Sequence, residues 1–161
     1  PPNGDAWVRS TAKTVTEAGI ANSAAQLLPE RTVILSARGT VGKLALTAVP
    51  MAMNQSCYGL RSSTGHSGYF TFFSTKSLIK TLQQHSHGSV FDTITRATLD
   101  EVRIEYPGAS AVCAFEERAG PLMEAARNLQ EEVGELRATR DELLPLLMSG
   151  AVTPGEIDVA S

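Results

Sequence analysis

The feature that most constrains this chain is a narrow apolar stripe near its C-terminal end. Phe115, Ala119, Leu122, Ala126, Leu129, Val133, Leu136, Arg140, Leu143 and Leu147 follow one another at alternating steps of four and three. This is the a/d seam of a heptad repeat, with leucine at the successive d positions 122, 129, 136 and 143. It predicts a helix over residues 110–148, about 55 Å long at ~1.5 Å per residue. Such a helix outreaches a small domain, and one helix cannot bury a narrow seam by itself. The expectation is a partner helix; folding back on its own domain is the alternative. Ser110 is the expected N-cap and Ser149-Gly150 the expected end. Pro121 is expected to kink or restart the helix, because it lacks an amide donor. Arg140, at an apolar seam position, reads as a register or pairing device.

Charge divides the chain at about the same place. Residues 116–142 hold eight acids and four arginines, a balance of −4, whereas residues 1–115 hold ten Lys and Arg against seven Asp and Glu, a balance of +3. The net charge of −3 therefore hides a mildly basic body behind an acidic segment, which permits a nucleic-acid partner without demonstrating one. Apolar residues make up 42%, enough for a core, and the 161 residues suit one domain plus an appendage. No stretch approaches the ~18–20 apolar residues of a membrane span, and no secretory leader opens the chain. The opening Pro1-Pro2-Asn3-Gly4 looks like a cut edge. Cys57 and Cys113 have no metal or disulfide spacing and read as buried thiols of a cytoplasmic protein.

The body reads as α+β, with three units: residues 1–109 a globular domain, 110–150 the long helix and 151–161 a flexible tail. Thr16 to Leu28 is helix-compatible and closed by Pro29. Residues 32–36 and 44–48 are apolar strands joined by a turn at 38–43, so a hairpin is expected. Tyr69 to Phe73 reads as an aromatic strand, and Thr75 to Gln84 as a helix capped by Ser74 or Thr75. A capping box over residues 98–101 suggests a helical turn. Val102, Ile104 and Tyr106 then alternate as in a half-buried strand, ended by Pro107-Gly108.

Few residues suggest chemistry. Gly39 to Lys43 is too short for a phosphate loop of the nucleotide-binding kind, and Leu44 stands where a Mg²⁺-binding hydroxyl should be. The segment reads better as a tight turn presenting Arg38 and Lys43, either to DNA or simply to solvent. Gly39 and Gly42 are structural. Asn54, Gln55 and Ser56 carry both donors and acceptors; they either meet an adenine edge or brace a loop. His85 and His87 lack a third ligand, which is weak evidence for a metal. Ser89 follows Gly88 in a loop able to approach a phosphate through backbone amides, or to serve only as a turn. No nucleophile–base arrangement, metalloprotease helix, methyltransferase signature or helicase motif stands out. Neither a cofactor nor a metal is implied.

Five phrases, in order, resemble the specificity subunits of type I restriction-modification enzymes. Trp7-Val8-Arg9 is similar to the tryptophan phrase that opens a target-recognition domain. Residues 27–46, LLPERTVILSARGTVGKLAL, resemble the family's strand–turn–strand block, and 53–60, MNQSCYGL, its NQ phrase. Residues 87–107, HGSVFDTITRATLDEVRIEYP, resemble the segment that closes the domain. Residues 136–152, LRATRDELLPLLMSGAV, resemble the end of a conserved family helix.

The resemblance implies a non-catalytic subunit that reads double-stranded DNA in a bacterial defence system. A complete subunit has two target-recognition domains, each reading half of a split site. Two antiparallel helices set the gap between the halves. Methyltransferase subunits dock on this scaffold and modify adenine; a motor-nuclease subunit joins for cleavage. This chain is shorter, with one domain and one helix, as for a half-subunit or an excised C-terminal half. The resemblance then implies two copies paired through Leu122, Leu129, Val133, Leu136 and Leu143. The match to loop phrases points to Arg38, Lys43, Asn54, Gln55 and Ser89 for DNA contact. Base-choosing residues lie among these or in 61–69 and 83–88. The competing readings are a protein-interaction module that dimerises through its helix and a metal-dependent hydrolase using His85 and His87.

Overall fold

The computed structural model describes residues 5–63, 65, 68–85 and 93–153, with side chains left out of account at 81–85. The fold is α+β: small sheets followed by one long helix. In chain order the elements are β1 (Trp7–Val8), α1 (Glu17–Ala21), β2 (Leu27–Leu28), β3 (Val33–Ser36), β4 (Leu44–Thr47), β5 (Met51–Ala52), β6 (Cys57–Leu60), α2 (Gly68–His85), α3 (Arg96–Glu101) and α4 (Ala109–Met148).

The β3–β4 hairpin is the centre of the domain. Val33 pairs with Leu46 and Leu35 with Leu44, and β6 joins antiparallel on the other side of β3, giving the order β1-β4-β3-β6. The short, β-branched β3 is a central strand, and Val33 and Leu35 on its inner face are fully buried. β1 pairs parallel with β4, and β2 pairs with β5 in a separate two-stranded sheet.

α2 lies against the hairpin and runs along it. Its first residue, Gly68, approaches so closely that a Cβ there would sit 2.0 Å from the Arg31 carbonyl oxygen. Tyr69 and Phe72, near its start, join Trp7, Val33, Leu46, Ala119 and Met123 in one core cluster. Ile79, further along, joins Leu35, Ala37 and Ile94 in a second. The domain therefore has a helix-junction end, where α4 is seated, and a loop end, where the β3–β4 turn lies.

Several local expectations change. Tyr69 to Phe73 belongs to α2 rather than to a strand; the aromatic run supplies a helix face whose Tyr69 and Phe72 are buried. Ser74 and Thr75 lie inside that helix and do not cap it. The helix-compatible stretch from Thr16 yields only the five residues of α1, capped by the Thr16 hydroxyl, because Leu27–Leu28 pairs with Met51–Ala52 instead. The capping box is one turn earlier than expected: Thr95 and Thr98 bond reciprocally at the start of α3. Val102 to Tyr106 forms no strand, and Ile104 and Tyr106 are exposed. Cys57 is half-buried and Cys113 exposed, so neither is a core thiol.

α4 is a single helix of 40 residues, about 60 Å long, and it continues through Pro121 and Pro145. Its N-cap is Gly108 rather than Ser110. At its end the Gly150 amide donates to the Leu147 carbonyl and the Ala151 amide to the Leu146 carbonyl, the paired bonds of a Schellman stop. Among the described residues no helix is long and apolar enough to cross a membrane.

Candidate nucleic-acid interface

The loop end is assembled from three segments that are distant in sequence. The β3–β4 turn is closed by the Gly42 amide donating to the Ser36 carbonyl, 2.9 Å, and by the Ser36 amide donating to the Lys43 carbonyl, 2.9 Å. Gly39 and Gly42 have φ of 76° and 81°, a region costly for residues with a Cβ. The β5–β6 turn lies beside it, because Ser36 pairs with Cys57 and the Ala37 amide donates to the Ser56 carbonyl, 2.8 Å. The third segment is at 93–96. Thr93 bridges to Arg38, the Ile94 amide donates to the Ala37 carbonyl, 2.9 Å, and the Thr93 hydroxyl donates to the same carbonyl, 3.1 Å.

These pairings bring together the loops that carry Arg38, Lys43, Asn54 and Gln55, and all four side chains are exposed. Asn54 Oδ1 accepts from the Ser56 amide at 2.9 Å, which braces its turn. Exposed Arg96, two residues after Ile94, adds a cation that the sequence reading did not single out. Its only signal was its place next to the Thr95–Thr98 cap. Among the described residues no ion pair engages Arg38, Lys43 or Arg96. Ser89 and His87 lie outside the described residues, and of His85 only the backbone, at the end of α2, is described. The segment after β6 leaves from the opposite end, since Leu60 pairs with Val33, and Tyr69 is buried there. Residues 61–63 are therefore not brought to Arg38. Among the described residues no three His, Cys, Asp or Glu side chains gather as a metal site.

The junction end is built differently. Trp7 is 2% exposed, and its indole Nε1 donates to the Met123 carbonyl of α4 at 3.2 Å. The Gln130 side chain clasps the Trp7 peptide unit: its Nε2 donates to the Trp7 carbonyl, 2.8 Å, and its Oε1 accepts from the Trp7 amide, 3.3 Å. The Arg127 guanidinium lies 5.4 Å from the Trp7 ring centroid and donates to the Ala48 carbonyl, 3.0 Å. Arg9 pairs with Glu131, and Arg31 with Glu124 at 2.7 Å while lying over the Tyr69 ring. Tyr69 donates its hydroxyl to Glu124 at 2.5 Å. That bond, with Arg31, holds the Glu124 carboxyl below the usual carboxylate range against an opposing effect of burial, while burial and the same bond keep Tyr69 protonated. The sequence reading missed Gln130, Arg127, Glu124 and Glu131 as junction residues; the visible signal was an Arg127–Glu131 pair four apart.

The helix thus has two faces. Val112, Ala119 and Met123 are buried against its own domain, so this part of the predicted seam is already occupied at Ala119. One residue further round, ~100° about the axis, Leu122, Leu129, Val133 and Leu136 are exposed, and Leu143 is half-buried. From Glu132 to Met148 every residue except Leu143 is exposed, so the last turns project beyond the domain.

A family model described as type I restriction modification DNA specificity domain matches residues 2–111, more than half of the chain. The chain belongs to this family. It is similar to the type I restriction enzyme MjaIX specificity subunit of Methanocaldococcus jannaschii, 28% identical over 97 residues, 59% of this chain and 22% of that protein. It is also similar to the type I restriction enzyme HindI specificity subunit of Haemophilus influenzae, 23% identical over 149 residues, 91% of this chain and 32% of that protein. The chain thus spans between about a fifth and a third of the length of these relatives.

Proposed function

We propose that this chain reads one half of a split DNA site within a type I restriction-modification assembly and carries no catalytic group of its own. The observation that carries this reading is the convergence of two exposed, well-braced loops bearing Arg38, Lys43, Asn54 and Gln55 at the end of the sheet away from α4. Arg38 and Lys43 suit phosphate or a guanine edge, and Asn54 and Gln55 suit an adenine edge. Ser89 belongs to the same proposal through its loop phrase. Residues 1–109 act as the target-recognition domain, 110–150 as the pairing helix and 151–161 as a tail.

Two copies pair through Leu122, Leu129, Val133, Leu136 and Leu143, imitating a longer subunit and suiting a two-fold symmetric target. Methyltransferase and motor-nuclease subunits dock on that scaffold in the cytoplasm and supply the methylation and cleavage. The exposed leucine stripe supports the self-association. The test is selection of random-sequence duplexes by the purified chain at two salt concentrations, repeated with methyltransferase subunits present. Enrichment of a split, symmetric motif is expected. No binding under either condition would overturn the DNA reading and leave a protein-interaction module that dimerises through its helix.

A further inference from the structure

The helix that lies along the hairpin has a charge pattern of its own. α2 carries no acid in its 18 residues, and its two lysines, Lys76 and Lys80, are exposed. They stand four positions apart, so they share one face about 6 Å apart along the axis. Phe72, Thr75 and Ile79 are buried on the other side, which seats the helix and fixes where the lysines stand.

The same helix delivers Lys80 to the loop end. Ile79, the residue before it, packs in one buried cluster with Ala37 and Ile94. Each of those two also leads to an exposed cation: Arg38 follows Ala37, and Arg96 stands two residues after Ile94. The Ile94 amide donates to the Ala37 carbonyl at 2.9 Å, so the two segments are fixed to each other. Arg38, Lys80 and Arg96 thus come from three separate segments that meet at one cluster, and Lys76 extends the series one turn back along α2. Among the described residues no ion pair engages any of the four. Asp100, one turn after Arg96 on α3, makes no ion pair with it, and Arg103 turns back to the Asp100 carbonyl at 2.7 Å. At the junction cluster, by contrast, Arg31 and Arg127 both meet Glu124.

We propose, building on the DNA reading above, that Lys76, Lys80 and Arg96 are phosphate anchors: a strip beside the reading loops that grips the DNA backbone next to the half-site and chooses no base. Asn54 and Gln55 bring no charge to the loops, and base contacts need backbone contacts nearby to fix their register. A lysine ammonium is a point charge on a long stem, suited to a phosphate and without the forked geometry that reads a guanine. Two lysines about 6 Å apart span about two charges of one DNA strand, at ~3.4 Å per charge. The strip lies on rigid helices and the base-facing groups on turns, so anchoring and reading are carried by different elements.

The test uses the full chain, with methyltransferase subunits where binding needs them. Two duplexes are titrated at several salt concentrations: one carrying the motif that the wild type selects, and an unrelated one of equal length. Lys76→Gln combined with Lys80→Gln is expected to weaken both about tenfold or more and to reduce the salt slope by about two. Arg96→Gln should reduce the slope by about one. The selected motif should stay the same in each variant, and so should the urea midpoint, because these side chains are exposed. Lys76→Arg combined with Lys80→Arg keeps the charge and should keep the affinity. The control is Lys13→Gln combined with Arg61→Gln, two exposed cations away from the loop end, which should leave binding unchanged. Unchanged affinity and slope in the Lys76 and Lys80 variant would overturn the strip while the DNA reading stands. An altered motif would overturn it too, by making these residues base readers. An equal loss in the control would reduce the effect to net charge and overturn it likewise. A wild-type chain that binds neither duplex under any condition would overturn the DNA reading itself, and the strip with it.

Discussion

The two ends of the four-stranded sheet use their cations in opposite ways. At the junction end Arg9, Arg31 and Arg127 each meet a glutamate, and Arg31 and Arg127 also cover Tyr69 and Trp7. At the loop end Arg38 and Lys43 are exposed, and no ion pair engages them among the described residues. The acids that neutralise Arg9 and Arg31 are Glu131 and Glu124, which belong to the acidic helix. Charge counted by sequence segment therefore differs from charge presented by surface. Two acids of the helix, Glu124 and Glu131, are committed to the seat.

The largest expected effect comes from breaking the seat. Trp7→Ala removes a buried indole, its bond to Met123 and its cover of Arg127, and should cost about 3–5 kcal/mol in urea unfolding. A cost under ~1 kcal/mol would mean that the junction is not a core.

At the other end, Arg38→Ala with Lys43→Ala should leave stability within about 0.5 kcal/mol. The double substitution should lower DNA affinity by about 1–3 kcal/mol for each side chain that touches DNA and, if both touch phosphate, reduce the salt slope by about 2. Unchanged affinity would end the assignment of function to the loop end.

Next in size, Gln130→Ala strips the Trp7 peptide of both side-chain bonds and should cost about 1–3 kcal/mol, with DNA affinity of the folded protein unchanged.

The smallest effect is in the pH dependence. The Glu124 carboxyl is held low when folded, so its contribution is complete above its unfolded pKa, ~4.3, and is lost as pH falls through the folded value. Its side chain is more than a third exposed, so the change is modest. Glu124→Gln should flatten the decline of the urea midpoint between about pH 5 and pH 3. A decline equal to that of the wild type would remove Glu124 from this role.

Much of the fold was legible because period and punctuation are local. The hairpin followed from two apolar runs around a glycine turn, and α4 from its heptads with Ser149-Gly150 at the end. What failed depended on tertiary placement. The aromatic run at 69–73 satisfies strand preferences, yet in α2 it turns Tyr69 and Phe72 toward the core. Val102 to Tyr106 alternates correctly but pairs with no strand among the described residues. At the candidate site, the residues of two turns could be named from composition. Their adjacency could not, because it rests on the pairing of β3 with β6 and on the bridge from Arg38 to Thr93. The junction was least legible, since Gln130 finds its partner 123 positions away.

The Gln130 clasp also fixes how α4 is seated. Turning the helix by one residue, ~100°, would present Leu129, which matches neither group of the Trp7 peptide, or Glu131, which could accept from its amide but has no donor for its carbonyl. The joint therefore has one setting, like a keyed shaft in its hub. A twist applied at the far end of α4 would therefore bear on β1, which pairs with β4, the strand that leads back to the loops.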